Sequence, residues 1–155
     1  MNKLPLTKLI DIPPIWLALF CALTWLQSVF LPLGLGFGGE WARFAGTVFI
    51  ATGLILMLMA VTEMRKSRTT VIPHLSASAL VTSGIFAQSR NPIYLGDVLV
   101  LIGLILRWDA LLALAFVPVF IGVLMKRFIE HEEARLRQGF GDVFIEYCQS
   151  VRCWM

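Results

Sequence analysis

The chain has few charged residues: only 15% of its 155 residues are Asp, Glu, Lys or Arg, whereas 58% are hydrophobic. Ordinary soluble domains carry about 25% charged and roughly 45–50% apolar residues. A soluble monomer of this length would have too few polar groups to cover its surface. The mean hydropathy of +0.80 agrees. The composition therefore excludes a soluble globular domain and a disordered segment, and it predicts an integral membrane protein.

Residues that bind metals or form disulfides are also scarce. The chain has three cysteines, none of them in a CxxC pair, and two histidines. The segment His131-Glu-Glu-Ala-Arg135 begins like the HExxH zinc motif, but Arg135 stands where the second histidine ligand is needed. We therefore predict no metal site and no disulfide framework. The net charge of +3 is typical of the cytoplasmic loops of a membrane protein, so nucleic-acid binding is not predicted.

Four apolar runs predict a single all-α domain, residues 1–155, with four transmembrane helices. The runs cover about residues 15–36, 41–61, 92–106 and 109–125. A spanning helix needs about 20 residues, so the last two runs need their flanks, or a locally thinned bilayer, to cross. A short polar connection at Arg107-Trp-Asp109 separates them, and it predicts a tight helical hairpin.

The positive charges predict the orientation of these helices. Eleven lysines and arginines lie at the termini or between the second and third spans, and two, Arg43 and Arg107, lie on the opposite side. Because Lys and Arg are enriched in cytoplasmic loops, we expect both termini in the cytoplasm. The polar segments 62–91 and 126–155 are then cytoplasmic as well, and they carry most of the groups capable of chemistry.

Short cytoplasmic helices are predicted to follow the last span. Residues 126–138 form the first, which we expect to end at Gly139, and a second amphipathic helix is predicted to start at Asp142. In the first helix Glu132 and Glu133 fall on the same side as the apolar residues Phe128, Ile129 and Leu136. Either these carboxylates have a buried partner, or the helix turns and they are solvated. Periodicity alone favours the solvated arrangement.

Asp97 is an acidic residue inside the third predicted span. A charged residue in a span is energetically costly and is by default a candidate for function. It shares a helix face with Tyr94, three residues earlier, and lies roughly 9 Å beyond Asn91 at the predicted helix start. Its side chain either makes a structural hydrogen bond or lines a polar pocket, and the sequence leaves both alternatives open.

The second half of the chain carries motifs in a recognisable order. They are Leu80-Val-Thr-Ser-Gly-Ile-Phe86, then Ser89-Arg-Asn-Pro-Ile-Tyr-Leu-Gly96, then Glu132-Glu-Ala-Arg-Leu136 and Phe140-Gly-Asp-Val-Phe-Ile-Glu-Tyr147. Over residues 70–151 the chain resembles the isoprenylcysteine carboxyl methyltransferases and their bacterial relatives, a group that borders the phospholipid N-methyltransferases. The resemblance implies a membrane-embedded methyltransferase, in a bacterial inner membrane, that modifies a lipophilic acceptor.

The same resemblance implies that S-adenosyl-L-methionine binds on the cytoplasmic side, in the half of the chain at 70–151. An acidic residue, Glu132, would pair with the ammonium group of the cofactor. A helix start offers free N–H groups to its carboxylate, and aromatic side chains offer a surface to its adenine or sulfonium. Carried over by position, the contacting residues are Ser78, Ala79, Leu80, Val81, Phe86, Asn91, Pro92, Ile93 and Tyr94.

The chain departs from the eukaryotic pattern of that family at three positions. Asn91 replaces a histidine and cannot take up a proton, so an acid–base role of that histidine cannot operate here. Phe144 stands in place of the first tyrosine of the last motif. The arginine that addresses the substrate carboxylate in the eukaryotic enzymes falls at Phe128, one residue from Arg127.

The acceptor itself stays open at this point. A carboxylate is already nucleophilic, whereas an amine needs a base, for which Glu133 or Asp97 is suitable. Arg127 or Arg90 would hold a carboxylate or phosphate group of the acceptor. A lipid amine N-methyltransferase and a non-catalytic four-span protein that kept the cofactor pocket are the alternatives to a carboxyl methyltransferase.

Overall fold

The computed structural model describes residues 11–31, 36–69 and 79–154, and all regular structure in these ranges is helical. The helices are α1 (Pro13–Phe30), α2 (Glu40–Lys66), α3 (Pro92–Arg107), α4 (Phe116–Leu124), α5 (Glu130–Phe140) and α6 (Asp142–Ser150). Short turns of 3₁₀-helix at Gly84–Ala87 and Leu111–Ala115 precede α3 and α4, and one turn of π-helix joins α4 to α5 at Met125–Ile129.

Three helical stretches are long and apolar enough to cross a membrane: Pro13–Phe30, Glu40–Lys66 and Leu111–Phe140. Their large apolar side chains remain exposed in many places, with Phe30 71% and Phe44 73% exposed. Such surfaces are costly in water and are suited to lipid. The chain is therefore an all-helical protein with three candidate membrane-spanning helices. The third predicted span coincides with α3, which has 16 residues and is not one of these three.

Helix α3 is the centre of the molecule, since its side chains Leu101 and Ile105 are fully buried. It packs against α2 at two glycine pairs. A Cβ atom on Gly53 would lie 2.6 Å from the carbonyl oxygen of Gly96, and one on Gly46 would lie 2.5 Å from that of Gly103. Only glycine allows two helix backbones to come so close. The two pairs are seven residues apart on each helix, so they hold α3 and α2 together along two turns.

The predicted boundary between the last span and the cytoplasmic helix, at residues 125 and 126, falls within the π-turn that joins α4 to α5. Residues Leu111–Phe140 form one continuous helical stretch of 30 residues. The π-turn at Met125–Ile129 takes the place of a break. A π-turn inserts about one extra residue, which rotates every later side chain by about 100° around the axis.

The predicted helix end at Gly139 is also wrong. Helix α5 continues to Phe140, and Gly141 adopts the positive φ of 54° that ends it. The Gly141 N–H then donates to the Arg137 carbonyl oxygen at 2.9 Å. Either glycine is suited to a helix end, and only the tertiary position of the following helix selects Gly141. The predicted start of the next helix at Asp142 is confirmed.

Candidate functional site

A cavity of about 570 Å³ opens where the start of α3 meets α5 and α6. Its walls also include the first residues of α1 and the last turns of α2. The volume falls within the range of ordinary small-molecule sites, roughly 300–1,000 Å³. The sequence-predicted residues that line it are Ala79, Leu80, Val81, Phe86, Arg90, Asn91, Pro92, Ile93, Tyr94, Asp97, Glu132 and Glu133. The remaining predicted cofactor contact, Ser78, lies outside the described residues.

Tyr94 and Glu132 meet in this cavity, although 38 positions separate them. The Tyr94 hydroxyl donates a hydrogen bond to Glu132 Oε2 at 2.9 Å, and the tyrosine is only 7% exposed. The Tyr94 ring also stacks on Phe128, with 6.3 Å between ring centroids. The contact links the first turn of α3 to the first turn of α5. It orients one carboxylate oxygen of Glu132 and fixes the position of this side chain in the cavity wall.

Glu133 has a different partner. Its Oε1 lies 3.0 Å from the NH2 nitrogen of Arg90, and the two side chains are 26% and 15% exposed. The other terminal nitrogen of Arg90 donates to the carbonyl oxygens of Cys148 and Val151, at 3.2 and 3.4 Å. Cys148 lies in the last turn of α6 and Val151 directly follows that helix, whose dipole favours a cation at this end. Arg90 therefore ties Glu133 to the end of α6, and both glutamates face partners rather than bulk solvent.

The C-terminal tail, residues 151–154, docks on the residues that precede α3. The Asn91 side-chain amide donates to the carbonyl oxygen of Cys153 at 3.2 Å, and the Arg90 N–H donates to the Arg152 carbonyl at 3.1 Å. Burial, and secondly the charge of Glu133, raise the pKa of the Cys153 thiol, so it is protonated near neutral pH. The tail thus engages the Asn91 amide that sequence reasoning assigned to the cofactor.

Tyr147 holds the turn that carries Phe86. Its hydroxyl donates to the Phe86 carbonyl oxygen at 2.7 Å, and burial raises the pKa of Tyr147 to about 12. The turn also needs Gly84, which adopts a positive φ of 60°. Phe86 is 9% exposed and its turn packs against the end of α2. A buried hydrogen bond of this kind keeps the aromatic wall of the cavity in one position.

Asp97 lines the cavity one helical turn deeper than Tyr94. It is 4% exposed, and its Oδ2 oxygen has no hydrogen-bond partner among the residues that the structure describes. Of the two alternatives left open by the sequence, the cavity-lining one agrees with this position. A carboxylate in such surroundings is energetically costly unless a ligand or water meets it.

Arg127 lies away from this cavity. It forms a two-point ion pair with Asp11, at 3.1 Å from Nε and 3.0 Å from NH2, and its guanidinium stands 5.1 Å from the centre of the Trp16 ring. The pair joins the segment before α1 to the π-turn. Because two nitrogens of Arg127 bind the Asp11 carboxylate, the charge of Arg127 is neutralised within the protein.

Several cavity residues are not among those that the resemblance assigns to the site. They come from α1 and α2, at Pro13, Pro14, Met57, Val61 and Met64, and from α5, at Arg135 and Gln138. Apolar residues in a predicted span carry no signal of whether they face lipid or a ligand. Only the packing of these helices around α3 brings them to the cavity.

An apolar helical bundle with a half-enclosed, mostly apolar cavity that carries a few charged side chains is the architecture of a membrane protein that handles a small molecule. A family model for phospholipid methyltransferases matches residues 41–143. The match covers α2 to the start of α6, and the chain therefore belongs to the phospholipid methyltransferase family. Members of this family are methyltransferases. No curated protein and no solved structure matches this chain.

Proposed function

We propose that this protein is a membrane methyltransferase that binds S-adenosyl-L-methionine in the cavity and methylates a lipophilic acceptor. The proposal rests on one observation: Tyr94, at the start of α3, forms a hydrogen bond with Glu132 inside the cavity. Family membership supports a methyltransferase with a lipid acceptor. When bound, the cofactor supplies a methyl group on a positively charged sulfur.

The residues present suit this cofactor. Helix α3 begins at Pro92 with no side chain capping its first N–H groups, which therefore remain available to a carboxylate. Glu132 offers a carboxylate to the ammonium group, and its orientation by Tyr94 reduces the entropy lost on binding. Phe86 and the apolar residues Leu80 and Val81 offer a surface to the adenine.

We propose four membrane spans with α3 as the short third one, and both termini in the cytoplasm. The distribution of Lys and Arg supports this orientation, and the burial of α3 among longer helices supports a short central span. In this arrangement, which fits a bacterial inner membrane, the cavity opens toward the cytoplasm for the soluble cofactor. Apolar residues at the start of α1 and in the last turns of α2 line the cavity and would contact the lipid.

For the acceptor we propose a lipid amine, in line with the family, with a carboxyl group as in the isoprenylcysteine enzymes as the second candidate. A protonated amine must lose its proton before the nitrogen attacks, and we propose Glu133 or Asp97, which both line the cavity, as the base that accepts it. The nitrogen lone pair then forms the new carbon–nitrogen bond while the methyl–sulfur bond breaks and its electrons stay on sulfur. Arg90 lines the cavity, and a phosphate or carboxylate of the acceptor would bind it by replacing the Glu133 carboxylate at its NH2 nitrogen.

The decisive experiment is methyl transfer from isotopically labelled cofactor to extracted membrane lipid, catalysed by the purified full-length protein. A labelled lipid whose methyl group resists mild base indicates N-methylation, and a base-labile label indicates a methyl ester. Mass analysis of the product then identifies the acceptor. Binding of the cofactor without transfer to any lipid would instead support the non-catalytic alternative, and absence of binding would overturn the proposal.

A further inference from the structure

The cavity holds three carboxylates, and two of them have partners. Glu132 accepts the Tyr94 hydroxyl, and Glu133 is paired with Arg90. Asp97 differs, because it is the most buried of the three and no cation of the described residues pairs with it, whereas Glu133 Oε1, which also lacks a hydrogen bond, lies 3.0 Å from the NH2 nitrogen of Arg90. A nearly fully buried carboxylate without a partner indicates that its partner arrives with a ligand.

The position of Asp97 relative to Glu132 narrows the chemistry of that ligand. Glu132 is fixed to Tyr94, and Asp97 follows Tyr94 by three residues on the same helix face, which is a rise of about 4.5 Å along α3. Both carboxylates line the same cavity, so a ligand with two cationic groups would meet one carboxylate with each of them. The methionine part of the proposed cofactor has this pattern, with an ammonium group and a sulfonium separated by the α-carbon and two methylenes.

We propose that the Asp97 carboxylate binds the sulfonium charge of S-adenosylmethionine, and that the cavity therefore distinguishes this cofactor from its neutral product, S-adenosylhomocysteine. The inference rests on the proposed function only for the identity of the cofactor. It assigns separate tasks to the two acids: Glu132 recognises the ammonium group that both molecules share, and Asp97 recognises the charge that only the methyl donor carries. Loss of this charge on methyl transfer weakens product binding and favours release.

The test measures binding rather than activity. The purified full-length protein is titrated with S-adenosylmethionine, with S-adenosylhomocysteine, and with sinefungin, an analogue that carries an ammonium group in place of the sulfonium. Asp97→Asn keeps the size of the side chain and removes its charge. We expect this variant to lose about 10-fold in affinity for the two cationic ligands, and to keep its affinity for S-adenosylhomocysteine within about 2-fold.

Glu132→Gln is the matched control, because it removes the charge that meets the shared ammonium group. We expect it to weaken all three ligands by similar factors. An equal loss for all three ligands in Asp97→Asn would overturn the inference, and so would an unchanged affinity for all three. Failure of the unmodified protein to bind any of them would count against the proposed function instead.

A second variant keeps the inference testable if Asp97→Asn does not fold. Asp97→Glu retains the charge and should retain the preference of the unmodified protein for cationic ligands. The unmodified protein itself should be stabilised more by sinefungin than by S-adenosylhomocysteine at equal concentration, as read from its thermal unfolding. A preference for the neutral ligand in this measurement would contradict the role of Asp97.

Discussion

The two sides of α3 differ in how closely they are packed and in how polar their surroundings are. The side that faces α2 is closely packed, because Gly96 and Gly103 let the two backbones approach at Gly53 and Gly46, with apolar side chains such as Met57 beside them. The other side carries Tyr94 and lines a cavity that is mostly apolar but holds several charged side chains. The comparison teaches that a helix held rigidly by backbone contact along one face can present an open site on its opposite face. The side of α3 that packs against α2 is its closed face, and the side that lines the cavity is its open face.

The largest effect is expected on the closed face. Gly53→Leu would place side-chain atoms where a Cβ already lies 2.6 Å from the Gly96 carbonyl oxygen, so α2 and α3 must separate. We expect a loss of about 3 kcal/mol in the free energy of unfolding, measured by thermal or denaturant unfolding in detergent. The matched control is Gly122→Leu, because a Cβ at Gly122 has no neighbour within 4 Å in the described structure. Equal losses in both variants would refute close packing at Gly53.

A smaller loss is expected on the open face when the ion pair at Glu133 is broken. Arg90→Gln leaves the Glu133 carboxylate half-buried without its cation and removes a charged donor from the carbonyls of Cys148 and Val151. We expect a loss of about 2 kcal/mol in the free energy of unfolding. The double variant Arg90→Gln, Glu133→Gln should recover part of it, and strict additivity of the two changes would contradict the pairing.

Removal of the Tyr94 hydroxyl should have a still smaller effect on stability. Tyr94→Phe loses one hydrogen bond to a carboxylate, which we expect to cost about 1.5 kcal/mol, since Glu132 keeps some access to solvent. Cofactor affinity, measured by calorimetry, should fall together with stability, because the carboxylate is no longer oriented. Wild-type affinity in Tyr94→Phe would show that Glu132 is positioned without the tyrosine.

The smallest effect concerns Cys153, where only a reaction rate should change. Burial and the charge of Glu133 raise the pKa of this thiol, so little of the reactive thiolate is present near neutral pH. In a background without the other two cysteines, alkylation should be slow at pH 7 and should accelerate as the pH rises. Glu133→Gln removes one of the two causes and should lower the pKa, so alkylation at pH 7 should be faster. An unchanged rate in that variant would contradict a charge effect of Glu133.

The two glutamates of α5 show which features of the site could be predicted from the sequence and which could not. Periodicity placed Glu132 and Glu133 on the apolar side of their helix but favoured solvation, whereas the family resemblance favoured a partner. In the structure both have partners, Tyr94 and Arg90, that lie in a different motif. No local pattern identifies such pairs, because the contact depends on how α5 approaches α3. The π-turn at Met125–Ile129, which sets the rotation of α5, also has no signature in the sequence.

The sequence by itself determined the class of protein: an apolar, all-helical chain, its polar residues gathered in two segments, and the order of its motifs. These properties are local, because composition and periodicity decide which segments are helical and which avoid water. Only the tertiary structure decided which side chains form the cavity, that Arg127 binds Asp11, and that Asn91 holds the C-terminal tail. These contacts join residues about 40 to 120 positions apart, and their geometry is set by the close glycine packing of α2 and α3 and by the rotation at the π-turn.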